Sequence, residues 1–314
     1  MVMGHSHSHS HDHGVGEQTA TGAHRGRLLI VFFIYLLIIL AELIGAWWAN
    51  SLALVAEAMH MTVDSSGILI ALIAAWLATR KASPRRTYGW MRAEIIAVLI
   101  NCFLLLGVGV FIAYEAVDRW INPPQVHGVG VIGFAVVGVI GSAVSLFLLA
   151  GGQKESLNVK AAFLEVMSDG IGAAGIILSG VLNVAFGWNR IDAIAAAAVG
   201  LIILPRTFVL LKKAVNIIMQ GVPEGMNVKE IRASLAAAKG VDAIHSLHVW
   251  ALTSGVPVLS AHVRVSEQAW VDGSGPRILD ELTHTAQHQW GIDHCTFQLE
   301  EPGHEHHEAA MHAN

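Results

Sequence analysis

Apolar residues gather into six long blocks over the first two thirds of the chain, at Leu28–Trp48, Leu52–Leu77, Ile95–Val117, Val126–Ala150, Val159–Val184 and Ile191–Leu211. Each approaches or exceeds the about 20 residues with which an α-helix crosses the hydrocarbon of a bilayer. The pattern therefore predicts a polytopic α-helical membrane protein with six transmembrane helices. Lys and Arg set its orientation. Arg25 and Arg27 precede the first block, and Arg80, Lys81, Arg85, Arg86 and Arg92 lie between the second and third. Lys154 and Lys160 lie between the fourth and fifth, Lys212 and Lys213 follow the sixth, and the alternate loops hold only Arg119 and Arg190. Positively charged loops stay on the cytoplasmic side, so both termini are expected there, in a multi-pass protein of the cell's inner (plasma) membrane.

Past Lys213 the apolar period changes. A helical stretch at Val228–Ala238 is followed by runs rich in β-branched residues at Ile244–Leu252 and Val258–Val265, with the turn signal Thr253-Ser254-Gly255 between them. A second helix is predicted from about Pro276 to Trp290 and a last strand at Thr296–Glu300. The order αββαβ predicts a small cytoplasmic α/β domain, a sheet with helices on one face. Four segments result: a His-rich cytoplasmic tail at 1–27, the transmembrane domain at 28–212, the αββαβ domain at 213–302 and a second His-rich tail at 303–314, too polar to pack and expected to be disordered.

Composition agrees with this division and narrows the chemistry. A mean hydropathy of +0.55 with only 14% charged residues excludes an ordinary soluble chain. The formal net charge of -5, with basic residues confined to helix ends, gives no nucleic-acid surface. Cys102 and Cys295 form no CxxC pair and fit a reducing interior. The N-terminus has neither the basic nor the apolar part of a cleaved signal peptide, so the first apolar block is expected to be retained.

The exceptional residues are ionisable groups inside the apolar blocks, each costing roughly 2.5 to 3.5 kcal/mol at bilayer depth. His60 and Asp64 in the second block, and Glu165 and Asp169 in the fifth, are each four residues apart. A helix turns every 3.6 residues or so, so each pair projects from one face, and two such faces meeting would give a cation four ligands. A lone intramembrane His is often a structural group, but two such pairs would need two unrelated structural reasons. Imidazole nitrogen and carboxylate oxygen suit tetrahedral Zn(II), while Mn(II) and Mg(II) prefer six oxygens.

Four motifs carry a resemblance. They are Ser51-Leu-Ala-Leu-Val-Ala-Glu-Ala-Met-His60-Met-Thr-Val-Asp64, Arg86-Thr-Tyr-Gly-Trp-Met-Arg92, Leu157-Asn-Val-Lys-Ala-Ala-Phe-Leu-Glu-Val-Met-Ser-Asp169 and Leu247-His-Val-Trp-Ala-Leu-Thr-Ser-Gly255. Together, and in this order from first span to last strand, they resemble the cation diffusion facilitator family. Glu165, where most zinc carriers of the family have His, together with the Leu-Asn-Val-Lys and Trp-Ala-Leu-Thr-Ser-Gly runs, is most similar to the bacterial cobalt-zinc-cadmium resistance branch. The resemblance implies a homodimer with a metallochaperone-like cytoplasmic domain that expels Zn(II), with Co(II) and Cd(II), in exchange for protons. It also implies that His60, Asp64 and Asp169 are transport ligands, and that His245, His262 and Glu300 form a cytoplasmic metal site. Exposed histidines on a small sheet are the alternative for that second trio. Strand alternation would turn His245 away from His248, so that only one of them joins a given cluster.

Glu165 has a consequence of its own. Three carboxylates around one His in a low dielectric raise one another's proton affinity, and an arriving dication displaces the retained protons. The same acid richness keeps a manganese or iron carrier of the family as the alternative cargo. Outside the family, a membrane metal sensor is a further reading, and an intramembrane metalloenzyme is disfavoured because no HExxH motif occurs. Glu42 and Asn101 could back the site or hydrogen-bond between helices. Glu57 shares the face of Asp64 and either lines the outer exit or reaches interfacial water, and Asp192 is expected to cap the sixth helix. His284 and His288 read as a solvent-facing pair. The terminal histidines, from the His5 run to His304, His306, His307 and His312, would bind zinc weakly and concentrate it, and the Arg80–Arg86 loop carries no metal ligand.

Overall fold

The computed structural model describes residues 25–151 and 157–304. Six long helices stand where the apolar blocks predict them: α1 (Arg25–Ala49), α2 (Leu52–Ala78), α3 (Ala93–Ile121), α4 (Gly128–Ala150), α5 (Leu157–Phe186) and α6 (Arg190–Ile218). Among the described residues five of them, all except α2, are long and apolar enough to cross a membrane. The 27-residue α2 carries Glu57, His60 and Asp64 within its span. Residues 1–24 and 305–314, which hold all the tail histidines except His304, lie outside the described residues, as does Lys154.

The chain folds into two compact units, residues 1–62 with 110–201 and residues 63–109 with 202–314. In the first unit α4 packs against α1 and α5, and small residues set how closely. A methyl group added at Gly180 would lie 3.1 Å from the carbonyl oxygen of Gly128, and one at Gly141 would lie 2.6 Å from Ile38. Without water to drive helices together, such close backbone approach supplies the van der Waals contact that holds them. Ile38, Ile39 and Met61 pack with Ile34 and Tyr35, and Val31, Leu149 and Val166 form a second buried group. The opposite faces are apolar and open: Phe33, Trp47 and Phe147 are 66%, 85% and 83% exposed, as lipid-facing side chains should be. Asn50, at φ 54°, makes the tight turn from α1 to α2, where Arg119 donates to its carbonyl at 2.7 Å.

In the second unit a three-stranded sheet has the order β1 (Val241–Thr253), β2 (Val256–Val265), β3 (His294–Glu300). β1 and β2 are antiparallel, and β3 runs parallel to β2. α7 (Val228–Ala236) and α9 (Gly275–Trp290) contribute Ile231, Leu235, Ile278, Leu282 and Ala286 to one core with Val249, Leu259, Ala261 and Val263 of the sheet. The expected αββαβ order gains one element, the five-residue α8 (Glu267–Val271), begun by Ser266 accepting from the Ala269 amide. Asn227 caps α7 in the same way, and α9 ends on Gly291 in the left-handed region at φ 64°. Strand β3 begins at His294 rather than after it. In the loop before α3, the guanidinium of Arg86 lies 3.5 Å over the ring of Trp90, and that of Arg80 lies 4.2 Å over Trp76. Both guanidinium groups thus stack on aromatic faces.

Candidate metal centres

Both metal-capable pairs of the apolar segments lie on unbroken helix, His60 and Asp64 on α2 and Glu165 and Asp169 on α5. Each pair shares one helix face, one turn apart. Within the first unit His60 Nε2 comes to 3.7 Å of Asp169 Oδ1, with the side chains 13% and 7% exposed. Tyr35 of α1 donates a short hydrogen bond to Asp169 Oδ2. Glu165 is half-buried one turn before Asp169. Among the described residues, His60, Glu165 and Asp169 do not form a group whose ligand atoms all lie within 4.8 Å of one another. Asp64 is half-buried one turn along α2 from His60 and falls in the other compact unit.

Sequence reasoning missed Tyr35. Its signal was available, since Tyr35 and Glu42 stand seven residues apart on one face of an otherwise apolar helix. Glu42 and Glu57 are buried at 1% and 3% exposure, so Glu57 does not reach interfacial water. Asp192 does not cap its own helix. Its Oδ1 accepts from Ser51 Oγ and its Oδ2 from the Leu52 amide, both at 2.5 Å, and Ser51 Oγ in turn accepts from the Leu54 amide at 3.2 Å. Asp192 and Ser51 thus close the N-terminus of α2, where unpaired amides and the helix dipole favour a negative group. Asn101 of α3 lies against Gly67 of α2, with a buried Oδ1 that has no hydrogen-bond partner among the described residues.

In the sheet, His245 of β1 is directly opposite His262 of β2, and Glu300 closes β3. Glu300 Oε2 lies 2.9 Å from His245 Nε2, and Glu300 Oε1 lies 2.6 Å from His262 Nδ1. The two imidazole centroids are 5.2 Å apart. Among the described residues this trio meets the condition for a metal-holding group, with ligand atoms all within 4.8 Å of one another. Gln298 donates to Glu300 Oε1 at 2.9 Å and orients the carboxylate. Burial of Glu300 raises its carboxyl, but the hydrogen bond and charge of His245 and the charge of His262 outweigh that and hold it below the usual Glu range. Two imidazoles and one carboxylate are the donors Zn(II) takes readily.

The strand between these histidines departs from simple alternation. A β-bulge separates His245 from His248, with Ser246 at φ 47°, and the cross-strand partners are His262 for His245 and Ser260 for His248. Ile244, Leu247 and Val249 stay in the core, so both histidines lie on the sheet's outer face, contrary to the expected alternation. His248 pairs with Ser260 and takes no place in the trio. His284 and His288 stack on α9 with centroids 4.2 Å apart.

Comparison with known proteins agrees with this division of the chain. Residues 28–219 match the cation efflux transmembrane domain, and residues 223–302 match the cytoplasmic domain of cation efflux proteins. The chain is 40% identical over 276 residues to the metal cation efflux system protein CzcD of Cupriavidus metallidurans, covering 88% of this chain and 86% of that one. It is 36% identical over 299 residues to the cadmium, cobalt and zinc/H(+)-K(+) antiporter of Bacillus subtilis, covering 95% and 96%. It is 32% identical over 276 residues to the zinc transporter ZitB of Escherichia coli, covering 87% of each. With five apolar membrane-length helices and a sheet-bearing cytoplasmic domain, this multi-pass membrane protein belongs to the cation efflux family, a family of metal transporters rather than enzymes.

Proposed function

We propose that this protein exports Zn(II), together with Co(II) and Cd(II), from the cytoplasm in exchange for protons. It would work as an inner-membrane homodimer with six spans, both termini in the cytoplasm, a transport domain at 28–212 and a cytoplasmic domain at 213–302. The observation that carries the reading is the approach of His60 to Asp169 at 3.7 Å between two apolar helices. Charged or chargeable groups are kept at that depth when they serve an ion path. The names of the relatives support the cargo: zinc for one, and cadmium, cobalt and zinc with protons for another.

In this reading His60, Asp64, Glu165 and Asp169 hold the cation in transit, and α2 and α5 expose it first to one side and then to the other. Ligands must be deprotonated to bind, so loading the metal releases protons and unloading it takes them up. Tyr35 holds Asp169 in orientation through its hydroxyl. The His245, His262 and Glu300 site in the cytoplasmic domain would bind the same ion and couple its abundance to the pairing of protomers.

Purified protein in proteoliposomes with a pH-sensitive dye in the lumen tests the reading. Adding Zn(II) to the wild type is expected to change luminal pH, whereas His60→Ala and Asp169→Ala each abolish both metal flux and the pH change. Flux that persists in both variants would overturn the assignment. Glu165→His should keep zinc transport and alter its ranking against cadmium and cobalt.

A further inference from the structure

The proton side of this exchange has a second set of groups to draw on. Glu42 stands within α1, 1% exposed, and its Oε2 is buried with no hydrogen-bond partner among the described residues. The helices around it leave a notch in place of a partner. A methyl group at Gly138 of α4 would meet Glu42 Oε1 at 2.9 Å and Ala173 of α5 at 3.4 Å. Beside Ala173, Gly172 leaves a second notch, where Glu57 Oε1 and Oε2 lie 3.2 and 3.3 Å from the place a Cβ would take. Residues three and four positions along a helix share a face, so both notches sit one turn beyond Asp169.

The titratable groups on the surrounding helices are Tyr35 on α1, Glu57 and His60 on α2 with Asp64 a turn further, and Glu165 and Asp169 on α5. α4 carries none, and Arg25, Arg27 and Lys160 stand at helix ends. An ionised carboxylate with an unfilled oxygen in such surroundings is far costlier than a neutral carboxyl. Glu42 is therefore built to hold a proton, and it does so without being one of the proposed metal ligands.

We propose that Glu42 is a proton carrier of the exchange, protonated while the neighbouring site is free of metal and deprotonated when a dication loads there. The proposal rests on the antiport reading above. On the cytoplasmic side the Glu42 O–H bond breaks, the proton passes to water and both bonding electrons stay with the carboxylate. On the outer side departure of the metal leaves that carboxylate without a counter-charge, and it takes a proton from water there. Each cycle then carries one dication outward against protons inward. The coupling acts through space: at an effective dielectric of about 20, a dication about 10 Å from a carboxyl weakens its hold on a proton roughly 300-fold.

Glu42→Gln, which keeps the shape and cannot ionise, tests this in the full-length protein. Because the coupling is reciprocal, its Zn(II) affinity should fall by less than the full coupling factor, while fewer protons move per Zn(II) in proteoliposomes. The Zn(II)-induced infrared difference spectrum should also lose a protonated-carboxyl band that the wild type shows. Glu42→Asp, which retains an acid, should shift that band rather than delete it, and it serves as well if Glu42→Gln does not fold. An unchanged band and proton ratio in Glu42→Gln would overturn the proposal. So would a loss of Zn(II) affinity larger than the full coupling factor, which would make Glu42 a ligand. A wild type that moves Zn(II) without protons would strike the antiport reading itself, a result distinct from either.

Discussion

Replacing Asp192 with alanine asks whether one carboxylate at the head of α6 holds the helix that bears His60. The side chain accepts from Ser51 Oγ and from the Leu52 amide at 2.5 Å each, and Ser51 and Leu52 are both 1% exposed. Removing it leaves two buried donors without their acceptor. A hydrogen bond to a charged group contributes about 1.5 to 3 kcal/mol. Because both end on one carboxylate their losses do not add in full, and about 3 to 5 kcal/mol is expected. At roughly 2 to 4 °C per kcal/mol for a folded unit of this size, the melting temperature should fall by roughly 6 to 20 °C. Asp192→Asn, which retains one acceptor oxygen, should fall between. His60 follows Leu52 by eight residues, about 12 Å along the axis, so a frayed start also loosens the His60 end, with Zn(II) affinity dropping about tenfold. Thermal unfolding in detergent and calorimetric Zn(II) binding read the two effects. A melting temperature within about 2 °C of the wild type, with unchanged Zn(II) affinity, would refute the anchoring role.

Three other perturbations probe different parts of the molecule. Tyr35→Phe removes the hydroxyl that donates to Asp169, and Zn(II) affinity should fall by about tenfold, as for other groups that orient a ligand. Gly138→Ala places a methyl group 2.9 Å from Glu42 Oε1 and should destabilise the protein by about 1 to 3 kcal/mol in detergent melts. Gly107→Ala, which meets nothing within 4 Å, should not destabilise it. In the isolated cytoplasmic domain, Zn(II) at a hundredfold its dissociation constant should stabilise by about 2.7 kcal/mol, and His262→Ala should abolish that melting shift. An identical shift in the variant would remove His262 from the site.

Length and period carried most of the architecture. A 20-residue apolar block has few other ways to be a stable structure, which is why Leu52–Leu77 and Val126–Ala150 predict α2 and α4 to within a few residues. The soluble domain was legible for the same reason, since β-branched runs around Thr253-Ser254-Gly255 become the β1–β2 hairpin. What stayed hidden depends on partners far along the chain. Asp192 has the sequence context of a local cap, and only packing brings it to Ser51. The bulge at Ser246 is decided by pairing with β2, so alternation misplaced His248. The α8 turn is too short for a period to announce it. In the membrane the spacing of His60, Asp64, Glu165 and Asp169 gave their helix faces, while the hydroxyl of Tyr35 came from a third helix with no metal-ligand pair at that spacing to draw the eye.

The bulge at Ser246 has a consequence for how the cytoplasmic trio can change over time. By taking up one extra residue, it leaves Ile244, Leu247 and Val249 seated among the apolar side chains while His245 stands outside with His262. The imidazoles are thus borne by the scaffold without helping to hold it up. If the trio serves the proposed cytoplasmic site, selection can tune or erase its metal responsiveness by exchanges at His245 or His262 and leave the folding of the domain intact, an evolvability that a site buried among the core residues would forfeit.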